Sequence, residues 1–215
     1  MTDRPSPDIS SRKAPQQARS NELVASILEA AIQVLQKEGA QRFTTARVAE
    51  RAGVSVGSLY QYFPNKAAIL FRLQTDEWQR TANLLADILS NTNTEPLRRL
   101  RLLVHAFLRS ECEEAQMRVA LHDAAPLYRD APQAHQVKGR SWGIVERFLA
   151  EALPNSAPHI RQLANDLISD TLGAVAKQYS TKPRTESALI TYADALADML
   201  CGYLQGLQQR ENSAA

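Results

Sequence analysis

Apolar residues recur along this chain at spacings of three and four, the period of a helix face, while runs of strand-favouring Val, Ile, Thr and Tyr are scarce. Leu23, Ile27, Ala30, Ala31, Val34 and Leu35 make one stripe and predict a helix over 20–37, capped at its start by Ser20 or Asn21. Gly39 stands where a left-handed C-terminal residue is wanted. Three shorter elements follow. Thr45 reads as an N-cap, Val48 and Ala49 face inward, and Gly53 closes a helix of about two turns. Ser55 caps another short helix from Val56 to about Tyr62, which Pro64 and Asn65 break. Lys66 begins a longer helix through Ile69, Leu70, Leu73, Trp78, Leu84, Leu85 and Ile88.

The second half continues in the same period. Residues 91–96 are a turn, and Pro96 suits the first position of a helix running to about Asp123. A loop carries Pro126 and Pro132, and a helix then spans about 133–152 and stops at Leu153 and Pro154. Two long helices, about 157–179 and 186–209, finish the chain, separated by Lys182 and Pro183. The expected fold class is all-α.

Charge divides the chain unevenly. From Ser10 to Thr75 there are nine Lys or Arg against four Asp or Glu; from Asp76 onward there are fifteen against seventeen. A basic front on a near-neutral body suits a polyanion-binding module, although a chance fluctuation of surface charge gives the same pattern. Residues 1–19, rich in Ser, Pro and Gln with Arg12, Lys13 and Arg19, cannot bury a core. They read as a flexible arm, either inert or following a DNA groove. Cys112 and Cys201 are far apart, which argues against a disulfide scaffold or zinc site. No apolar run is long enough to cross a bilayer, and the first residues lack the apolar core of a secretion signal. A cytoplasmic protein without membrane contact is the expectation.

The segment from Thr44 to Lys66 carries the most information. It reads as helix, tight turn, helix, with Ala49 and Val54 packing the two together and Leu59 and Phe63 anchoring the second. Its pattern, TTxxVAxxAGVSxGSLYxYFxxK, closely resembles the helix-turn-helix of the TetR/AcrR family of bacterial regulators. The close resemblance covers about residues 20–73; the remainder matches in helical layout alone. It implies a three-helix DNA-binding domain over 20–66 and a larger helical ligand-sensing and dimerisation domain over 67–215. It also implies a homodimer on palindromic double-stranded operator DNA, released by a small-molecule effector, and a repressor rather than an activator.

Roles in DNA contact follow residue by residue. Thr45, Tyr60, Tyr62 and Lys66 match the family's usual contact positions; the hydroxyls and the ammonium suit phosphate. Ser55 caps the recognition helix, Gly57 lets the backbone approach DNA, Ser58 and Gln61 are candidates for base contact, and Val56 for a thymine methyl. Position 46 is Ala, where some family members carry a longer base-reading residue, which shifts reading onto Arg47 and the arm.

An effector pocket is expected between Trp78 and about Ala152, with His105, Phe107, Cys112, Met117, His122, Tyr128 and Trp142 as candidate lining. The same residue types at helical spacing also serve as plain core. Glu111, Glu113 and Glu114 around Cys112 oppose thiolate formation and a redox role. Leu163, Leu167 and Leu172, with Leu196, Met199, Leu200 and Tyr203, are the expected dimer interface. No metal spacing, phosphate loop or catalytic triad is present, so neither a cofactor nor an enzyme is expected. The alternative is a DNA-binding regulator without a small ligand, answering to oxidation or a protein partner.

Overall fold

The structure, a computed structural model, describes residues 18–128 and 142–214. Residues 1–17 of the basic arm, the start of the helix expected from Gln133 and the side chain of Trp142 lie outside the described residues, while Ala18 and Arg19 already belong to the first helix. Among those described, all regular structure is helical. In chain order the helices are α1 (Ala18–Arg42), α2 (Thr45–Ala52), α3 (Val56–Tyr60), α4 (Lys66–Leu89), α5 (Pro96–Glu113), α6 (Ala115–Ala124), a short 3-10 turn (Ala125–Leu127), α7 (Trp142–Ala152), α8 (Pro158–Tyr179) and α9 (Glu186–Ala214).

Local chemistry sets the boundaries. Gly39 interrupts α1 with φ 74° and ψ 171°, so the main body of that helix ends at Glu38 and residues 40–42 form a redirected last stretch. The φ is positive as expected of a glycine stop, but ψ is extended rather than left-handed helical. Pro96 opens α5 at its first turn, where its missing N–H costs nothing. The continuous helix expected to Asp123 is broken at Glu114, with φ −100° and ψ 8°. The reason lies in burial: Leu100, Leu103, Val104 and Leu108 before the break belong to cores other than the one that takes Met117, Ala120, Leu121 and Ala124 after it.

The chain divides into two compact units. Among the described residues the first takes 18–79 and 116–128. Its core joins Ile27, Ala31 and Leu35 of α1, Val48 and Ala49 of α2, Leu59, Phe63, and Ile69 and Leu70 of α4. Phe43, between α1 and α2, is fully buried there as well.

The second unit takes, among the described residues, 80–115 and 142–214. Here α5 and α9 run antiparallel, with Val104, Leu200 and Leu204 in the core. Along their edge Arg101, His105 and Arg109, on successive turns of α5, meet acids of α9. Arg101 pairs with Asp198 and lies 3.6 Å from Asp194; His105 Nε2 is 2.9 Å from Asp194 Oδ1; Arg109 binds Glu186 through both terminal nitrogens. The Arg109 hydrogen bonds hold the Glu186 carboxyl below its usual range. A different cation is buried. Arg99, 1% exposed, donates from Nη1 to the Leu89 carbonyl at 2.6 Å, pairs with Glu151 of α7 and sits 5.6 Å from the Phe148 ring centroid. It thereby ties the end of α4 to α5 and α7.

These two kinds of ion pair should differ in value. Arg99→Ala leaves the Leu89 carbonyl without its donor and is expected to lower stability by about 3 kcal/mol. Arg109→Ala, at the wet edge, should leave the urea midpoint almost unchanged. Equal losses in urea unfolding would contradict this assignment.

Candidate functional site

The surface of α2 and α3 is built by two caps and two anchors. Thr44, extended at φ −135° and ψ 151°, accepts the Arg47 backbone N–H at 3.3 Å. Thr44 is therefore the cap, and the expectation of Thr45 in that role is corrected: Thr45 is the first helical residue. Two adjacent threonines offer the same hydroxyl, and backbone position chooses between them. Gly53, at φ 67°, closes α2, and Val54 N–H reaches the Ala49 carbonyl at 3.0 Å. Ser55 caps α3 by accepting the Ser58 N–H at 3.0 Å, and the two serine hydroxyls lie 2.8 Å apart. Helix α3 is two residues shorter than expected, with Gln61 as its last cap.

Leu59 and Phe63 are fully buried, so Val56, Gly57, Tyr60 and Gln61 face solvent on one exposed surface, with Ser55 and Ser58 at its edge. Tyr60 Oη lies 3.2 Å from Thr45 Oγ1, which brings two of the expected contact hydroxyls together. Gly57 does not have a positive φ, and a Cβ placed on it would meet only Ser55 Oγ, at 3.8 Å. Nothing inside the chain requires a glycine there. Tyr62 is half-buried against the core, and Lys66, also half-buried, begins α4. Asn65 caps that helix, its Oδ1 accepting the Ala68 N–H at 2.9 Å, a role the sequence reading missed although Asn before a helix is its ordinary signal.

Arg47 is placed differently from the rest. Its Nη1 donates to Glu38 Oε2 at 2.5 Å and to the Arg42 carbonyl at 2.9 Å, both on the end of α1. One turn on, Arg51 Nε donates to Gln33 Oε1 at 2.6 Å. These residues border an open polar groove of about 460 Å³ between α1 and α2, lined also by Val34, Lys37 and Glu50. None of the candidate effector residues lines it.

Those candidates are dispersed. Met117 and Tyr128 are buried in the first unit's core. The Tyr128 hydroxyl lies 3.0 Å from the Leu121 carbonyl and 3.2 Å from Gln74 Oε1, and burial, reinforced by Glu77, pushes it well above the usual tyrosine range. Gln74 donates to Glu77, which Arg118 reaches at 3.0 Å, an internal polar network. His122 is exposed. In the second unit, Phe107 and Cys112 pack against Leu108, Ala176, Tyr179 and Ala193, and His105 is engaged by Asp194. Burial is the main cause that raises the Cys112 thiol; Glu113 adds to it and Arg184 opposes it. The carboxylates stressed by the sequence reading are thus secondary.

The expected interface residues split by face. Leu172, Leu196 and Leu200 are buried in their own chain's core, and Tyr203 is half-buried. Leu163 is 57% exposed, Leu167 45% and Met199 54%, joined by Ile190 and Tyr192. On α9, Tyr192, Ala195, Met199, Gly202 and Gly206 follow one helical line that is apolar or small and at least partly exposed. No group of residues among those described could hold a metal, and no described helix is long and apolar enough to cross a membrane.

Two family models match this chain. Residues 27–73 match the bacterial regulatory proteins of the tetR family, and residues 95–207 match the tetracyclin repressor-like C-terminal domain. The transcriptional repressor KstR of Rhodococcus jostii is 29% identical over 138 residues, 64% of this chain and 63% of that protein. The chain therefore spans less than two thirds of that relative's length. Among solved structures, the fatty acid degradation regulator FadR of Bacillus halodurans superposes with a TM-score of 0.66 at 19% identity, covering 88% of this chain and 96% of that one. FadR of Bacillus subtilis, solved in complex with stearoyl-CoA, gives 0.64 at 16% identity, covering 83% and 97%. These two likenesses concern the fold. With family models over the helix-turn-helix and over more than half the chain beyond it, this protein belongs to the TetR family of bacterial transcriptional regulators, a family of regulators and not of enzymes.

Proposed function

We propose that this chain is a cytoplasmic, ligand-responsive repressor that binds palindromic operator DNA as a homodimer and is released by a small-molecule effector. The observation that carries the reading is the exposed surface of α3 held over buried Leu59 and Phe63. Val56, Gly57, Ser58 and Gln61 face the bases, and Thr45, Ser55, Tyr60, Tyr62 and Lys66 face the phosphates. A glycine at position 57 that no internal contact demands is explained by an external surface coming close. Residues 20–66 carry DNA binding, 67–215 sensing and dimerisation, and 1–19 supply a basic arm.

A second copy of the chain covers the exposed apolar line of α8 and α9. Two recognition helices related by a two-fold axis then meet half-sites about one helical turn apart. Effector binding among the helices of the larger domain reaches the motif through α4, whose first residue ends the motif pattern. A coupling of about 1–3 kcal/mol would weaken DNA binding some 5–150-fold. Stearoyl-CoA, present in the Bacillus subtilis FadR structure, is the first effector to try. The oxidation-sensing alternative needs a reactive thiolate, and burial at Cys112 works against one.

Selection from a random duplex pool should enrich a palindrome whose binding falls steeply with salt. Lys66→Ala should weaken binding to every sequence and flatten the log–log salt slope by about 0.9. Gln61→Ala should instead relax preference at one position per half-site, worth about 1–3 kcal/mol of discrimination. Binding insensitive to salt and to Lys66 would remove the DNA reading. Separately, Met199→Glu, on a side chain already exposed in the single chain, should yield a folded monomer in sedimentation that no longer selects the palindrome. A Met199→Glu protein that stays dimeric would move the interface elsewhere.

A further inference from the structure

Arg47 lies on the helix that precedes the recognition helix, and a residue reading alone would count it as a DNA contact. Its hydrogen bonds place it elsewhere. Gly39, with its positive φ, ends the main body of α1 at Glu38 and redirects residues 40–42, so that a carboxylate and the Arg42 carbonyl stand on the same side of one guanidinium. Nη1 of Arg47 donates to both, at 2.5 and 2.9 Å. The Arg47 side chain keeps 44% of its surface and Glu38 29%, so the pair is wet and accessible, not sealed. Arg51, one turn further along α2, is turned onto α1 in the same way through Gln33.

Resting on the DNA-binding reading above, we propose that Glu38 is an affinity-determining residue that withholds Arg47 from DNA, neutralising its charge and fixing its direction. A guanidinium paired with a carboxylate releases no phosphate counterion, so Arg47 adds nothing to the salt dependence of binding while the pair stands. Because the pair is exposed, its hold is modest; removing the carboxylate leaves the arginine's charge uncompensated, with only the neutral Arg42 carbonyl to hold it. Arg47 then becomes an added phosphate contact on the edge of the motif. The arrangement limits non-specific affinity: a basic residue at this position is kept for the α1–α2 elbow, and sequence reading is left to α3.

The test compares salt slopes on a random-sequence duplex pool for the full-length protein and three variants: Glu38→Ala, Arg47→Gln, and the two together. Gln at position 47 removes the charge while keeping a polar side chain on this exposed part of α2. Arg47→Gln is expected to leave the slope and the selected sequence unchanged. Glu38→Ala is expected to steepen the slope by about 0.9 and to tighten binding at low salt. The double variant is expected to return to the parent slope. The proposal is overturned if Arg47→Gln alone flattens the slope or shifts the selected sequence, because Arg47 then already touches DNA. It is overturned equally if Glu38→Ala changes nothing, or if its steepening persists in the double variant. An unmodified protein with no salt-dependent binding overturns the DNA reading itself, an outcome distinct from all of these.

Discussion

Everything on the candidate DNA surface depends on the burial of Leu59 and Phe63. Helix α3 has five residues, far below the length at which a helix holds itself in water. It persists because Ser55 caps it and because two large side chains, both at most 1% exposed, pin it to the core it shares with α1, α2 and α4. Its backbone continues past the helix, with the Phe63 N–H reaching the Leu59 carbonyl at 3.0 Å. Val56, Gly57, Tyr60 and Gln61 face outward only because Leu59 and Phe63 face inward. A recognition surface made this way is small and stiff, and its directions are set by packing rather than by helix propensity.

Helix α9 obeys the same logic with three faces. Helix α9 presents Ala193, Leu196, Ala197, Leu200 and Leu204 to its own core. It presents Asp194 and Asp198 to the cations of α5, and a third line through Met199 to solvent. An apolar stripe wider than a single chain can cover is what a second copy would use, and the acids on the flank orient α9 so that this stripe stays outside.

Polar side chains divide by place. Two buried groups are committed internally, Arg99 to Leu89 and Glu151, and Glu77 to Gln74 and Arg118. The hydroxyls of the motif, Thr45 with Tyr60 and Ser55 with Ser58, are paired to each other while remaining at the surface, so they are held in place and still able to accept a new partner. Arg47 stands between these groups, exposed yet tied to α1.

Much of the fold was legible without coordinates. Apolar period, Pro96 at a first turn, Gly53 at a stop and Ser55 at a cap are local signals, and local hydrogen bonding and sterics suffice to read them. The all-helical class and the motif followed from these and from one resemblance. What stayed hidden were choices between equivalent local options. Thr44 and Thr45 carry the same hydroxyl, and backbone position alone makes Thr44 the cap. Leu196 and Met199 share one broad stripe, and only the packing of α5 against α9 buries the first and exposes the second. The helix expected to run to Asp123 breaks at Glu114 because its two halves serve different cores, which periodicity does not register. Arg47 has a long, flexible reach, and its partner Glu38 lies nine residues away across a glycine kink. The sequence by itself determined which segments are helices and which faces are apolar, because both follow from neighbours within one or two turns. The tertiary structure decided which apolar face is covered and where each long polar side chain ends, because those depend on groups that only folding brings together.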